Sequence, residues 1–349
     1  MSIRNLLSSL GHRPFDAGNE WRCQAVYRGG DSPNSLSVNK RNGLWFDYPA
    51  QTGGSLQELV ELTLHEEIED FEKFVERYDI DFSQLEEERP TIMSEKIWPK
   101  EELDKLLPHY RFYEDRGISK ETLQLFKGGF QHSGTMNRRF VFPIYNKDGQ
   151  IHGWTGRDMT ESRDVKWYHL GKTRDWVYPF YVRKGSRFPC QEAIREKGFV
   201  ILVESVGDML ALWEHGYKNV LVTFGVKVSP TLSALLMGLG VKIVISTNND
   251  IGKKENWGRK GALDVFIRLL SHIDYQNMII ALPAGTNDFG DQDHDFEKWE
   301  KKIESPKYQA IHKAVLERMS ERYKEGKLSK TAIKMGKAIA DEYNVDING

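Results

Sequence analysis

The chain has 349 residues, 39% of them hydrophobic and 29% charged, the profile of a globular protein of more than one domain rather than a disordered or fibrous one. Its apolar runs, such as Phe199 to Val203 and Met278 to Leu282, fall far short of the roughly 20 residues of a membrane crossing. Two cysteines, Cys23 and Cys190, are too few for a four-thiolate zinc site or a disulfide framework. The net charge of −2 hides an acidic block, with 13 acidic and 3 basic side chains over residues 51 to 90, and a basic surplus of 18 against 12 over residues 91 to 190. Aromatic residues interleave the basic stretch, which suits either a polyanionic strand with stacked bases or a solvated face over an ordinary aromatic core. No leader pattern opens the sequence, so the expected compartment is the cytoplasm.

In chain order, residues 1 to 55 read as a small β-rich unit. Ser35 to Val38 and Leu44 to Phe46 are its short strands, and Gly53-Gly54 its end. From Ser55 to about Glu88, Leu56, Leu59, Val60, Leu64, Ile68, Phe71, Phe74 and Val75 recur at helical spacing among glutamates, predicting one or two amphipathic helices and then a linker over Glu86 to Pro90. Residues 98 to 128 predict a helical pair, with Gly117-Ile118-Ser119 as the turn and Ser119 as a cap. A hairpin of Phe140 to Tyr145 and Ile151 to Thr155 follows, turning at Asn146-Lys147-Asp148-Gly149.

After Lys197 strands and helices alternate: 199–203, 206–215, 220–223, 231–238, 241–246, 261–271 and 278–282. This βαβαβαβ order predicts an open parallel sheet. The fold expected is therefore α/β, a Rossmann-like parallel sheet with an α+β basic subdomain upstream, a β-rich N-terminal unit and a helical C-terminal tail. The boundaries expected are 1–88, 89–196, 197–298 and 299–349.

Open parallel sheets bind ligands beyond the carboxyl ends of their strands. The first strand here runs into Glu204 and then Asp208, the third into Asn248-Asn249-Asp250, and the fourth is followed by Asp288. Carboxylates gathered there either cap helices or share a cation, and a set of oxygen donors with no His or Cys favours Mg²⁺ or Mn²⁺.

These residues carry a resemblance. Val203 to Asp208, Thr223-Phe224-Gly225, Ser246 to Gly252 and Asn287-Asp288 resemble the successive motifs of a TOPRIM domain. Upstream, Arg139 to Ile144, Asp148-Gly149, Gly156-Arg157 and Lys166-Trp167-Tyr168 resemble the basic half of the polymerase core of the DnaG-like primases of bacteria and their phages, and Arg116 to Ser119 resembles the helical segment that precedes it in that family. The N-terminal unit, with Trp21 to Cys23, Ser35 to Val38, Gly43 to Trp45 and Gly53-Gly54, is similar to that family's zinc ribbon. Its ligands are missing, since only Cys23 remains and the second cysteine pair is replaced around Asp47, Tyr48, Pro49 and Ala50. A metal-free fold packed by Trp21, Leu36, Val38, Trp45 and Phe46 is expected, with no zinc. A second departure is Asn248, which stands where the family has the first acid of an acid-x-acid pair.

The resemblance implies a DNA primase that makes short RNA primers on single-stranded DNA from ribonucleoside triphosphates. Glu204, Asn248, Asp250 and Asp288 would hold Mg²⁺ or Mn²⁺, Asp208 would stand nearby, and Arg139, Arg157 and Lys166 would bind template or nucleotide phosphates. The alternatives are a TOPRIM nuclease and a catalytically weak replisome adaptor. The resemblance also implies a replicative helicase as partner. The helical stripe Ile311, Val315, Met319 and Tyr323 either docks it or packs on the chain's own sheet. The length suits a phage-type or reduced enzyme.

Overall fold

The structure, a computed structural model, describes residues 3–28, 32–48, 52–64, 66, 68–80, 85, 96–160, 165–252, 255–291, 294–324, 328 and 330–343. The linker expected at Glu86 to Pro90, and Pro49 and Ala50, lie outside them. Two compact units divide the chain, Met1–Glu95 and Lys96–Gly349, and none of the described helices is long and apolar enough to cross a membrane.

In the first unit, helix α1 (Ile3–Ser9) is followed by strands β1 (Phe15–Ala17), β2 (Glu20–Cys23), β3 (Leu36–Asn39), β4 (Trp45–Asp47) and β5 (Thr52–Gly54), then by helices α2 (Leu56–Leu64) and α3 (Phe71–Glu76). The strands form one antiparallel sheet in sequential order. Gly53 and Gly54 end the sheet as expected, as part of its last strand. They lie in β5, where a Cβ on Gly53 would stand 2.4 Å from the Trp45 carbonyl oxygen, so glycine is what lets the two strands pair.

Leu36, Val38 and Trp45 enter the core with Leu6, Leu7, Leu59 and Val60, and Trp21 packs at its edge. Phe46 departs from the expectation. Alternation along β4 turns its ring to the other face, edge-on to Tyr48. Cys23 is buried, and burial pushes its thiol up to about 12. Its Sγ lies 4.0 Å from His12 Nδ1, and that imidazole contacts the Gln24 carbonyl and the Thr63 hydroxyl. The position that resembles a ribbon ligand is thus part of a polar knot tying the sheet to α2.

In the second unit, α4 (Arg111–Glu114) and α5 (Lys120–Leu125) precede the strands β6 (Gly129–Gln131), β7 (Arg139–Tyr145), β8 (Ile151–Asp158) and β9 (Trp167–Gly171). Ser119 caps α5, its hydroxyl accepting from Thr122 N–H at 3.2 Å. The strands pair antiparallel in sequential order, and Gly149 turns the β7–β8 hairpin at φ +75°.

After α6 (Pro189–Lys197), β10 (Phe199–Val203), α7 (Val206–Glu214), β11 (Val220–Val222), α8 (Pro230–Leu239), β12 (Lys242–Ile245), α9 (Trp257–Leu269) and β13 (Met278–Ile280) alternate as expected. Their sheet is parallel, in the order β11-β10-β12-β13. The chain leaves β10 in one direction and returns on its other side, so the space beyond β10 and β12 is a topological switch point. The two sheets are joined where Val222 N–H donates to the Tyr178 carbonyl and where Phe224 packs on His169 and Trp176.

Helices α10 (Phe296–Glu304), α11 (Tyr308–Lys324) and α12 (Lys330–Tyr343) close the unit. Arg318 makes a paired bond to the Asp264 carboxylate at 2.9 and 3.0 Å, tying α11 to α9. Val315 and Met319 are buried and Ile311 packs beside them, so this stripe covers the chain's own core and is not available for docking; only Tyr323 stands out, 65% exposed.

Gly153 on β8 lies under the Trp176 ring, where a Cβ would come within 2.2 Å of it. Gly153→Ala is therefore expected to destabilise the chain by about 1–3 kcal/mol, measured by denaturant unfolding. An unchanged midpoint would show that this contact is not a packing constraint.

Candidate functional site

Glu204 follows the last residue of β10, at the switch point. Next, Ser205 caps α7 in a reciprocal box: its hydroxyl accepts from Asp208 N–H, while Asp208 Oδ2 accepts from Ser205 N–H at 3.2 Å and from the Ser205 hydroxyl at 2.7 Å. Asp208 Oδ1 accepts from Phe289 N–H at 3.2 Å, so one buried carboxylate ties the start of α7 to the loop after β13. Helix capping, one of the two readings of these acids, therefore holds for Asp208. It is not the whole account, because Asp208 is pushed up from 3.8 to about 7 by burial, then by the charge of Asp288 and more weakly by Glu204. Asp288 is raised too, by burial and then by Asp291, against the pull of Lys166.

The loop after β12 lies against the loop after β13. Asn249 N–H donates to the Asn287 carbonyl at 2.7 Å, and Ile251 N–H to Asn287 Oδ1 at 2.9 Å. Asp250 Oδ2 accepts from Gly258 N–H at 2.9 Å in the first turn of α9. Asn248 is partly exposed, and its carbonyl oxygen lies so near Gly258 that a Cβ there would stand 1.9 Å away.

From the antiparallel sheet, Lys166 is exposed and close enough to Asp288 for its charge to stabilise that carboxylate. The neighbouring Trp167 borders Gly207 of α7, 3.8 Å from where a Cβ would be. Arg157 is half-buried on β8, in register with Trp167.

Arg139 departs from the expected phosphate-binding role. It is only 3% exposed, and its guanidinium donates to the carbonyls of Gly156 at 3.1 Å, Lys166 at 2.8 Å and Val165 at 3.0 Å. Arg139 thus holds the backbone beside Lys166 in place, and its own donors point inward.

Two residues escaped the sequence reading. Asp291 adds a further acid beside Asp288, and the Asp288-x-x-Asp291 spacing could have marked it. Trp257, which begins α9 next to Gly258, is 63% exposed, with Lys260 Nζ 4.9 Å from its ring centre. Its exposure had no signal in the sequence, where the helix was expected only from residue 261.

Among the described residues, no three His, Cys, Asp or Glu side chains form a ready metal cage. The donors are nevertheless all oxygen, and the charges of Asp288 and Glu204 bear on the buried Asp208, a repulsion that a cation would relieve. This fits a hard dication held by one or two carboxylates that completes its shell with water and phosphate.

The raised values have a consequence for stability. An acid whose folded pKa lies above its unfolded one favours the folded state at low pH, and that advantage is lost as pH rises from 3.8 towards about 7 for Asp208. Asp208→Asn keeps an acceptor oxygen without the charge, so the variant's Tm is expected to fall less than the parent's across this range. An equally steep fall would show that Asp208 carries no such repulsion.

No protein-family model matches the chain. A DNA primase of Aquifex aeolicus is 30% identical over 152 residues, 42% of this chain and 28% of that protein. A DNA primase of Borreliella burgdorferi is 31% identical over 147 residues, 40% of this chain and 27% of that one. The chain thus spans little more than a quarter of the length of these curated relatives. Among solved structures, the zinc-binding and RNA polymerase domains of the Aquifex aeolicus primase align over 99% of this chain and 96% of that one, at 19% identity and a TM-score of 0.47. A DnaG primase catalytic domain bound to ssDNA aligns over 69% of this chain and 90% of that one, at 15% identity and a TM-score of 0.46. Over the stretch it shares with them, the chain is similar in sequence to these two DNA primases.

Proposed function

We propose that the chain is a DnaG-like primase that joins ribonucleotides into short RNA primers on single-stranded DNA. The observation that carries this reading is the facing of an acidic cluster, at the carboxyl edge of a parallel sheet, by Lys166 from an adjoining basic sheet. The sequence kinship with bacterial primases supports it.

In this reading residues 197–298 are a TOPRIM domain and residues 89–196 the basic half of the catalytic core. Glu204 and Asp288, with Asp250 and Asn248 on the adjoining loop, hold Mg²⁺ or Mn²⁺. When bound, the ion offsets phosphate charge and lowers the pKa of an attacking hydroxyl. Lys166, fixed through its backbone by Arg139, orients a phosphate over the acids, with Arg157 behind it. Asp208 acts on the others by position, through its cap and its bond to Phe289. Asn248 brings no charge, so the site depends on substrate phosphates to complete the ion's shell. The exposed ring of Trp257 offers a face on which a template base stacks at the rim.

Primer synthesis on single-stranded DNA with ribonucleotides and Mg²⁺ or Mn²⁺ is the direct test. Glu204→Gln is expected to lower it by at least about 100-fold with the circular dichroism spectrum unchanged. Undiminished synthesis would sink the assignment, and DNA cleavage without nucleotides would turn it towards a nuclease. Gly258→Ala must displace the Asn248 carbonyl, so it is expected to lower both stability and activity; full activity in the folded variant would mean that this loop is not part of the site. Trp257→Ala is expected to weaken single-stranded DNA binding by roughly 5- to 100-fold, with Trp257→Phe close to the parent. Equal affinities for all three would rule out stacking there.

A further inference from the structure

Away from the acidic cluster, a cavity of about 510 Å³ opens between the end of β13, α9, α10 and the start of α11. Its floor is aliphatic, with Leu263, Ile280, Leu282, Ile311 and Ala314. Five cations stand around it, Arg259, Lys298, Lys301, Lys302 and Lys307, and no Asp or Glu lines it. Lys298, Lys301 and Lys302 fall on one face of α10 through their i, i+3, i+4 spacing.

None of the five cations makes an ion pair among the described residues, whereas Arg318 and Arg322, on the next helix, are both paired to Asp264. The half-buried Lys302 Nζ donates to the Leu282 carbonyl at 2.7 Å. Burial and the nearby Lys298 hold its pKa below the usual lysine value, against the opposing charge of Asp295. A cationic rim over an apolar floor suits a ligand with an apolar body and several negative charges. The volume lies within the range of small-molecule sites.

We propose that this cavity binds a nucleoside polyphosphate, with the base and sugar against the aliphatic floor and the phosphates among the lysines of α10 and Lys307. The site is separate from the acidic cluster but borders it, since Asn249 contributes to its wall and stands between Asn248 and Asp250. The proposal goes beyond primer synthesis and does not require it.

The test uses the full chain in excess EDTA, where the carboxylates have no cation with which to hold a phosphate, and follows binding of fluorescent N-methylanthraniloyl-ATP by anisotropy. Saturable binding is expected, weakened about tenfold in each of Lys301→Ser and Lys307→Ser, whose exposed side chains can be lost without harm to the fold. Glu204→Gln is expected to bind as the parent does. Adenosine alone and tripolyphosphate alone should each compete at least about tenfold more weakly than ATP.

Unaltered affinity in both lysine variants would overturn the proposal. So would competition by tripolyphosphate equal to that of ATP, which would leave a bare anion patch. Stronger competition by an oligothymidylate would make the surface a nucleic-acid track instead. Loss of binding in Glu204→Gln would place the nucleotide at the acidic cluster. Because primer synthesis is not measured here, each of these results stands whether or not the chain proves to be a primase.

Discussion

Negative charge crowds at the carboxyl edge of the parallel sheet, and the structure around it is arranged to tolerate that crowding. Asp208 is buried within reach of the charges of Asp288 and Glu204, an arrangement that costs free energy unless the carboxylate is well hydrogen-bonded. Its two oxygens are engaged on both sides, by the cap of α7 and by Phe289 N–H. The repulsion is therefore held in place by backbone donors that are themselves fixed by secondary structure. In the function proposed above, a cluster built in this way takes a positively charged ligand.

The antiparallel sheet supplies the complementary side. The buried guanidinium of Arg139 spans the carbonyls of Val165, Lys166 and Gly156, and a buried arginine bonded to several carbonyls is a rigid strut rather than a ligand for solvent anions. Lys166 is set beside Asp288 by this bracing and by the backbone bond from Asp158 N–H to the Lys166 carbonyl at 2.8 Å. The aromatic contacts of Phe224 with His169 and Trp176 join the loop after β11 to the sheet that carries Lys166, so the acidic and basic halves are registered through packing as well as charge.

The C-terminal helices spend their apolar stripe on the same core. With Val315 and Met319 buried and Arg318 bonded to Asp264, α11 braces α9, whose first turn in turn holds Asp250. The lysines of α10 are left facing outward over an aliphatic floor, which gives this region a character opposite to that of the acidic edge one loop away.

The alternation of buried β-branched runs with helical crossovers, the Ser119 cap and the glycine at the β7–β8 turn were all legible in the sequence, because each depends on local periodicity or on backbone geometry that particular residue types impose. So was the placing of Glu204 and Asp208 at the end of the first parallel strand, where the charges of Glu204 and Asp288 reach Asp208, whereas Asp250 is bonded to the first turn of α9. Which way a side chain faces was not legible. Arg139 read as a phosphate ligand and is buried, Phe46 read as core and lies on the opposite face, the exposed Trp257 went unread, and the stripe on α11 was open until its partner helix was known. Local sequence sets which elements form, but orientation, burial and the coupling of charges are properties of neighbours brought together from distant parts of the chain, and only the tertiary structure decides them.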